Sequence, residues 1–176
     1  MAEHIAFLRG INVGGHKIVK KEALERIFTS FNFKRVRTLL ASGNVLFEAP
    51  PRDEAALAEK IEAGLAKSLG FEVSVMLRSR DHLEKLAKAD PFKKHKVGGD
   101  VKRYVCFLSD VPEAPPPFPK PPAGERWEIL SLKGRELFVA AAKGFPTRFV
   151  EKDLGVTVTT RNWNTVLKAL QQTGPA

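Results

Sequence analysis

The feature that most constrains this chain is how its hydrophobic period changes along the first 78 residues. Ile5-Ala6-Phe7-Leu8 is apolar at every position, which reads as a strand covered on both faces. Leu24, Ile27, Phe28 and Phe31 then recur at helical spacing, so a helix is expected over 20–31. Residues 36–41 and 45–47 read as two strands joined by a hairpin turn at Ser42-Gly43-Asn44. Asp53 opens a second helix with Leu57, Ile61 and Leu65 on its buried stripe, and Gly70 stops it. Phe71, Val73, Val75 and Leu77 alternate as a strand. The order β-α-β-β-α-β is the split arrangement of ferredoxin-like folds.

The second half is less regular. Ser79 or Asp81 can cap a short helix carrying Leu83 and Leu86, which Pro91 stops. Residues 92–102 form a basic loop around Gly98-Gly99, and 103–108 a strand. Seven prolines within 112–122 exclude helix and sheet and predict an extended, polyproline-like connector. A hairpin over 127–132 and 136–141 turns at Lys133-Gly134, and helices are expected over 145–154 and 160–171. The expected fold is α+β: a ferredoxin-like βαββαβ first half (1–78) packed against a second α+β half (79–176), as two subdomains or one intertwined domain. No internal repeat is legible, since the strings at 13–17 and 97–102 are too short to carry one.

Twenty-nine Lys and Arg against 20 acids give a formal charge of +9, which suits a polyanionic partner and equally a well-solvated surface. Cys106 is the single cysteine and lies in an apolar run, so it reads as a small core residue and no intrachain disulfide can form. The N-terminus lacks a basic segment followed by an apolar stretch, and no apolar run approaches membrane-spanning length. A cytoplasmic protein without a membrane is the expectation. The four histidines show no HxxxH or HExxH spacing and there is no cysteine pair, so neither metal nor cofactor is expected. Oligomeric state is not legible.

Three segments could carry function. The loop Arg9-Gly10-Ile11-Asn12-Val13-Gly14-Gly15-His16-Lys17 links a strand to a helix and is longer than such connections usually are. Glycines there would let backbone N–H groups approach an anion near a helix N-terminus, with Arg9, His16 and Lys17 as further donors. It fits neither the Rossmann nor the P-loop fingerprint, and Ile11 and Val13 would plug the core if the loop is purely structural. Ser42-Gly43-Asn44 has the residues of a hairpin turn, and no elbow motif makes Ser42 a nucleophile. In Thr159-Thr160-Arg161-Asn162-Trp163-Asn164-Thr165, a threonine would cap the last helix and Trp163 falls on its core stripe with Val166, Leu167 and Leu170. Arg161 would then oppose the helix macrodipole by about 0.3–1 kcal/mol, which an internal carboxylate or an external anion should offset. A fourth feature is electrostatic: Lys93, Lys94, Lys96, Lys102 and Arg103 surround Gly98-Gly99, flanked by Phe92 and Tyr104, a composition compatible with single-stranded nucleic acid.

The strings at 5–15, 42–47 and 159–166, in this order and at this spacing, together resemble the bacterial family called domain of unknown function 1697, and Asp90-Pro91-Phe92 resembles a further element of it. The resemblance implies an α+β, ferredoxin-like fold for the first half and no particular activity. The chain departs from the family pattern at Lys21, where a methionine is expected, and at 144–149, where a Gly-Arg-Ser-Lys-like stretch is expected.

Three functional classes follow. One is non-enzymatic binding of an anion, a nucleotide or nucleic acid, through the glycine loop and a helix N-terminus. Its candidate residues are Arg9, Asn12, Gly14, Gly15, Lys17, Ser42, Asn44, Thr160, Arg161 and Asn162. The second is a structural or interaction protein whose motifs only fold it. The third is an enzyme acting on a small phosphorylated or carboxylated metabolite, although no catalytic constellation is recognisable. An open RNA-recognition sheet would need exposed aromatics, for which Phe7 and Phe47 are the candidates.

Overall fold

The computed structural model describes residues 1–39, 43–95 and 98–172. The chain divides into two compact units, the first comprising Met1–Glu84 with the chain end from Ala169, the second Lys85–Lys168.

The first unit holds β1 (Ala2–Leu8), α1 (Lys21–Ser30), β2 (Lys34–Leu39), β3 (Asn44–Ala49), α2 (Glu54–Leu69) and β4 (Val75–Ser79), with α3 (Arg80–Ala89) starting directly after β4. Its sheet runs β2-β3-β1-β4 with every neighbour antiparallel, the strand order of a ferredoxin-like βαββαβ unit. Ile5 to Leu8 are buried throughout, as their unbroken apolar run requires. Ala6, Leu8, Val45, Phe47 and Leu77 meet Leu24, Phe28, Leu57, Ile61 and Leu65 in one core. Asp53 caps α2 by accepting the Ala56 N–H at 3.0 Å, and Gly70 ends it at φ 78°. At Gly64 the two helices come so close that a Cβ would stand 2.2 Å from the Phe31 ring. The last strand of this unit starts later than the alternation suggests. Val73 is buried in the core but lies ahead of β4, where the Val75 N–H is taken by Glu62 at 2.7 Å. Arg80 donates to Glu84 at 2.7 Å, to Glu3 at 3.2 Å and to the Leu170 carbonyl at 3.4 Å, tying β1, α3 and the chain end together.

The second unit holds β5 (Lys102–Leu108), β6 (Arg126–Lys133), β7 (Glu136–Lys143), a π-helical turn at Phe149–Asp153 and β8 (Val158–Asn162), after which α4 (Trp163–Gln172) begins at once. The expected helix over 145–154 contracts to that turn. It is closed by the Leu154 N–H on the Phe149 carbonyl at 3.0 Å. The helix expected from Thr160 starts at Trp163 instead, because Val158, Thr159 and Thr160 pair with Leu108, Phe107 and Cys106. A β-branched run fits a strand better than a helical first turn. Neither threonine caps α4; Asn162 does, accepting the Asn164 N–H at 2.9 Å.

The second sheet runs β6-β7-β5-β8, so β5, β6, β7 and β8 occupy the places of β1, β2, β3 and β4. The registers agree as well. Ile5 faces Leu46 and Arg78, and Val105 faces Phe138 and Arg161. Phe7 faces Asn44, and Phe107 faces Glu136. Each unit therefore repeats one β-x-β-β-x-β-α plan, which neither half shows as sequence similarity. Where the first unit crosses with α1, the second crosses with the proline-rich connector, exposed from Glu113 to Gly124. The only aromatic ring in that stretch, Phe118, rests edge-on against Phe149 at 5.9 Å.

Candidate functional site

The glycine loop folds as a small hairpin finger. The Asn12 N–H donates to the Lys17 carbonyl and the His16 N–H to the Val13 carbonyl, both at 3.1 Å. Gly14 (φ 59°) and Gly15 (φ 75°) are its two tip residues, and positive φ at both is what a type I′ turn needs. The Asn12 side chain staples the finger to its own base. Its amide donates to the Val19 carbonyl at 3.2 Å and its oxygen accepts the Val19 N–H at 2.8 Å. Ile11 plugs the core as expected, lying over Gly43, whose added Cβ would come to 3.0 Å of it. Val13 does not: it is 65% exposed, because it stands at the finger's tip. Lys17 holds its ammonium 5.3 Å above the Phe71 ring, and Arg9 is exposed at the finger's foot.

Between the finger and the start of α1 opens a cavity of about 400 Å³. Asn12, Gly15 and Ile18 form one side, Lys20 and Lys21 the helix side, and Thr38 and Gly43 the far wall. Lys20 stands at the cap position of α1 and supplies no side-chain cap. The partial positive charge of the helix start is therefore directed at this cavity alongside two exposed lysines. Glu22 stands in the first turn of α1, next to Lys21, and Glu25 lies one turn further on. One Glu25 oxygen accepts the Thr38 N–H at 3.0 Å and hydroxyl at 3.1 Å, and lies 3.8 Å from Lys21.

Of the candidates from the first half, Asn12 and Gly15 line the cavity, while Arg9, Gly14 and Lys17 belong to the finger without lining it. Asn44 is wholly buried and donates to the Leu39 carbonyl at 3.1 Å, which closes the end of β2 on β3. Ser42 and the expected strand end at 40–41 lie outside the described residues, as does Lys96. Lys20, Lys21 and Thr38 were not among the candidates. The two lysines were findable: adjacent cations at a helix start raise the same electrostatic question as Arg161.

In the second unit, Thr160, Arg161 and Asn162 end β8. The Thr160 hydroxyl reaches the Cys106 sulfur at 3.4 Å. Arg161 donates to the Thr159 hydroxyl at 2.7 Å and the Thr160 carbonyl at 2.9 Å, and burial pushes its guanidinium down to about 10. Since Arg161 lies in a strand, it does not oppose the α4 dipole as the sequence suggested. Its counterpart Arg78 is fully buried and donates to the carbonyl of its own preceding residue, Leu77, at 2.8 Å. No sequence pattern singled out Arg78. Phe7 and Phe47 are buried, so the first sheet offers no aromatic platform for RNA bases. Among the described residues no group of three or more His, Cys, Asp or Glu is placed to hold a metal ion, and no helix is long and apolar enough to cross a membrane.

None of the curated proteins matches the chain. Among solved structures it is similar to the conserved bacterial protein SP0830 from Streptococcus pneumoniae, with a TM-score of 0.66 and 20% identity over 97% of each chain. At that identity the likeness concerns the fold. Residues 1–138 match the family described as protein of unknown function, DUF1697. The α+β fold, the ordered motifs and this match agree, and the chain belongs to the DUF1697 family.

Proposed function

We propose that the protein is a non-enzymatic binder of a small anionic ligand of nucleotide size, held between the finger and the start of α1. The observation that carries this reading is the cavity of about 400 Å³ at a helix start without a side-chain cap, rimmed by Lys20 and Lys21. Helix starts favour anions through their free N–H groups and dipole, and exposed lysines add charge without ordering cost inside the core. The volume lies in the lower range of small-molecule pockets, which suits one nucleotide or sugar phosphate rather than a polymer.

The structural reading draws support from Asn12 and Asn44, whose amides are engaged within the fold. The two readings separate in a thermal-shift screen of nucleotides and sugar phosphates. A ligand at a hundredfold excess over its Kd adds about 2.7 kcal/mol, a rise of about 5–10 °C for a chain of this size. The doubly substituted Lys20→Glu, Lys21→Glu protein should lose that rise while melting normally by itself, since both side chains are exposed. Silence across the screen, or a rise indifferent to the double substitution, refutes the binding reading at this cavity.

A further inference from the structure

The second unit carries a cleft of its own, about 500 Å³, on one face of the edge strand β6. Arg126, Glu128 and Leu130 of β6 line it with Ala140 of β7, and Lys94 and His95 flank it from the segment before β5. Val101, Pro121 and Trp127 contribute further apolar surface. The registers gather more charge at this end of the sheet. Arg103, Ala140 and Glu128 form one cross-strand row, Arg126 pairs with Lys143, and Lys102 lies opposite Ala141. Arg103 lies over the Phe92 ring at 5.8 Å.

The carboxylates here offset only part of that charge. Asp100 is in contact with Arg126, and Glu125 accepts the Trp127 indole N–H at 2.6 Å. Glu128 is exposed at the cleft. Against these three stand Lys93, Lys94, Arg103, Arg126 and Lys143. The combination is specific in its chemistry. Cations spread along a sheet end suit successive phosphates, whereas the apolar part of the cleft at Val101, Pro121, Leu130 and Ala140 suits a flat, uncharged body between them.

We infer that this cleft holds one unpaired base of a single-stranded nucleic acid, with the adjoining phosphates on Lys94, Arg103 and Arg126. A duplex keeps its bases stacked and can use only the charges, so the apolar part of the cleft discriminates between the two forms. This site is independent of the cavity at α1, and its substitutions are distinct from those that test that cavity.

The test is fluorescence anisotropy of a labelled short oligodeoxythymidylate and of a duplex of equal length, at several salt concentrations. Three phosphate contacts predict a log–log salt slope of about −2 for the single strand, with the duplex weaker. Lys94→Glu with Arg103→Glu should weaken the single strand by about tenfold or more and flatten the slope. Glu128→Lys should tighten it severalfold, a gain that a poorly folded protein cannot imitate. Lys20→Glu with Lys21→Glu should leave it unchanged. The inference is overturned if the oligodeoxythymidylate fails to bind at low salt, if the duplex binds as well as the single strand, or if Glu128→Lys brings no gain.

Discussion

Replacing Gly64 with alanine sets two effects of opposite sign against each other. In the interior of α2, alanine is favoured over glycine by about 1 kcal/mol, because glycine loses more backbone freedom on ordering. At this position, however, the new methyl would stand 2.2 Å from Cε1 and 2.3 Å from Cζ of Phe31. An ordinary carbon–carbon contact is about 3.5–4.0 Å, so the ring must retreat by more than an ångström or the helices must part. Phe31 is not free to retreat without loss. It packs on Phe28 at 5.9 Å and edge-on to Phe33 at 5.6 Å, and such ring pairs contribute about 0.5–1.5 kcal/mol each. Overpacking costs about 1–3 kcal/mol even where neighbours adjust. The expected net effect of Gly64→Ala is a loss of about 1–2 kcal/mol, read as a melting temperature lowered by about 2–8 °C. Combining it with Phe31→Leu should give much less than the sum of the two single losses, because the leucine vacates the space. Measured by urea unfolding, additive losses, or a Gly64→Ala protein that melts higher than the parent, would refute the argument that the two helices meet at this glycine.

Two further outcomes are expected from buried titratable groups. His4 is buried against Phe47, neither ring nitrogen has a hydrogen-bond partner among the described residues, and desolvation lowers its pKa below 6.5 against a weaker raising by Glu54. The unfolded state therefore binds the proton more readily. Stability is full above pH 6.5 and falls as the pH drops toward the depressed folded-state value, and His4→Leu should reduce that fall in urea titrations compared between neutral and mildly acid buffer. Burial pushes the Cys106 thiol up to about 12, with the Thr160 hydroxyl a weaker opposing influence. It should resist alkylation at pH 8 in the folded protein and react promptly once unfolded; equal rates in both states would place the thiol at the surface.

The legible parts of this fold are those in which a residue's period or chemistry is decided locally. The run Ile5 to Leu8, the stripe of Leu57, Ile61 and Leu65, and the pair Asp53 and Gly70 each carried their meaning in a few positions. β8 did not, because Val158 to Asn162 run into an amphipathic helix with no proline or glycine between them. The strand is selected by its partner β5, which precedes it by 54 residues at the Cys106–Thr160 pair. The same limit applies to the candidate site. The glycines were visible as a loop, but only the folded finger shows that Asn12 serves Val19 and that Lys20 and Lys21 face the cavity. The repeated strand plan was invisible because few matching positions carry the same residue: Phe7 matches Phe107 and Arg78 matches Arg161, but most others differ. Asn44 corresponds to Glu136, and a helix to a string of prolines.

The ties of Arg80 give the order of synthesis a physical meaning. Its guanidinium reaches Glu3 near one end of the chain and the Leu170 carbonyl near the other. The compact unit that begins with Met1 is rejoined by the chain only from Ala169 onward. On a ribosome, the first sheet can thus pair early, yet that unit cannot acquire its last segment until the intervening unit has emerged. A lesion close to the C-terminus would accordingly be felt in the half of the molecule that was made first.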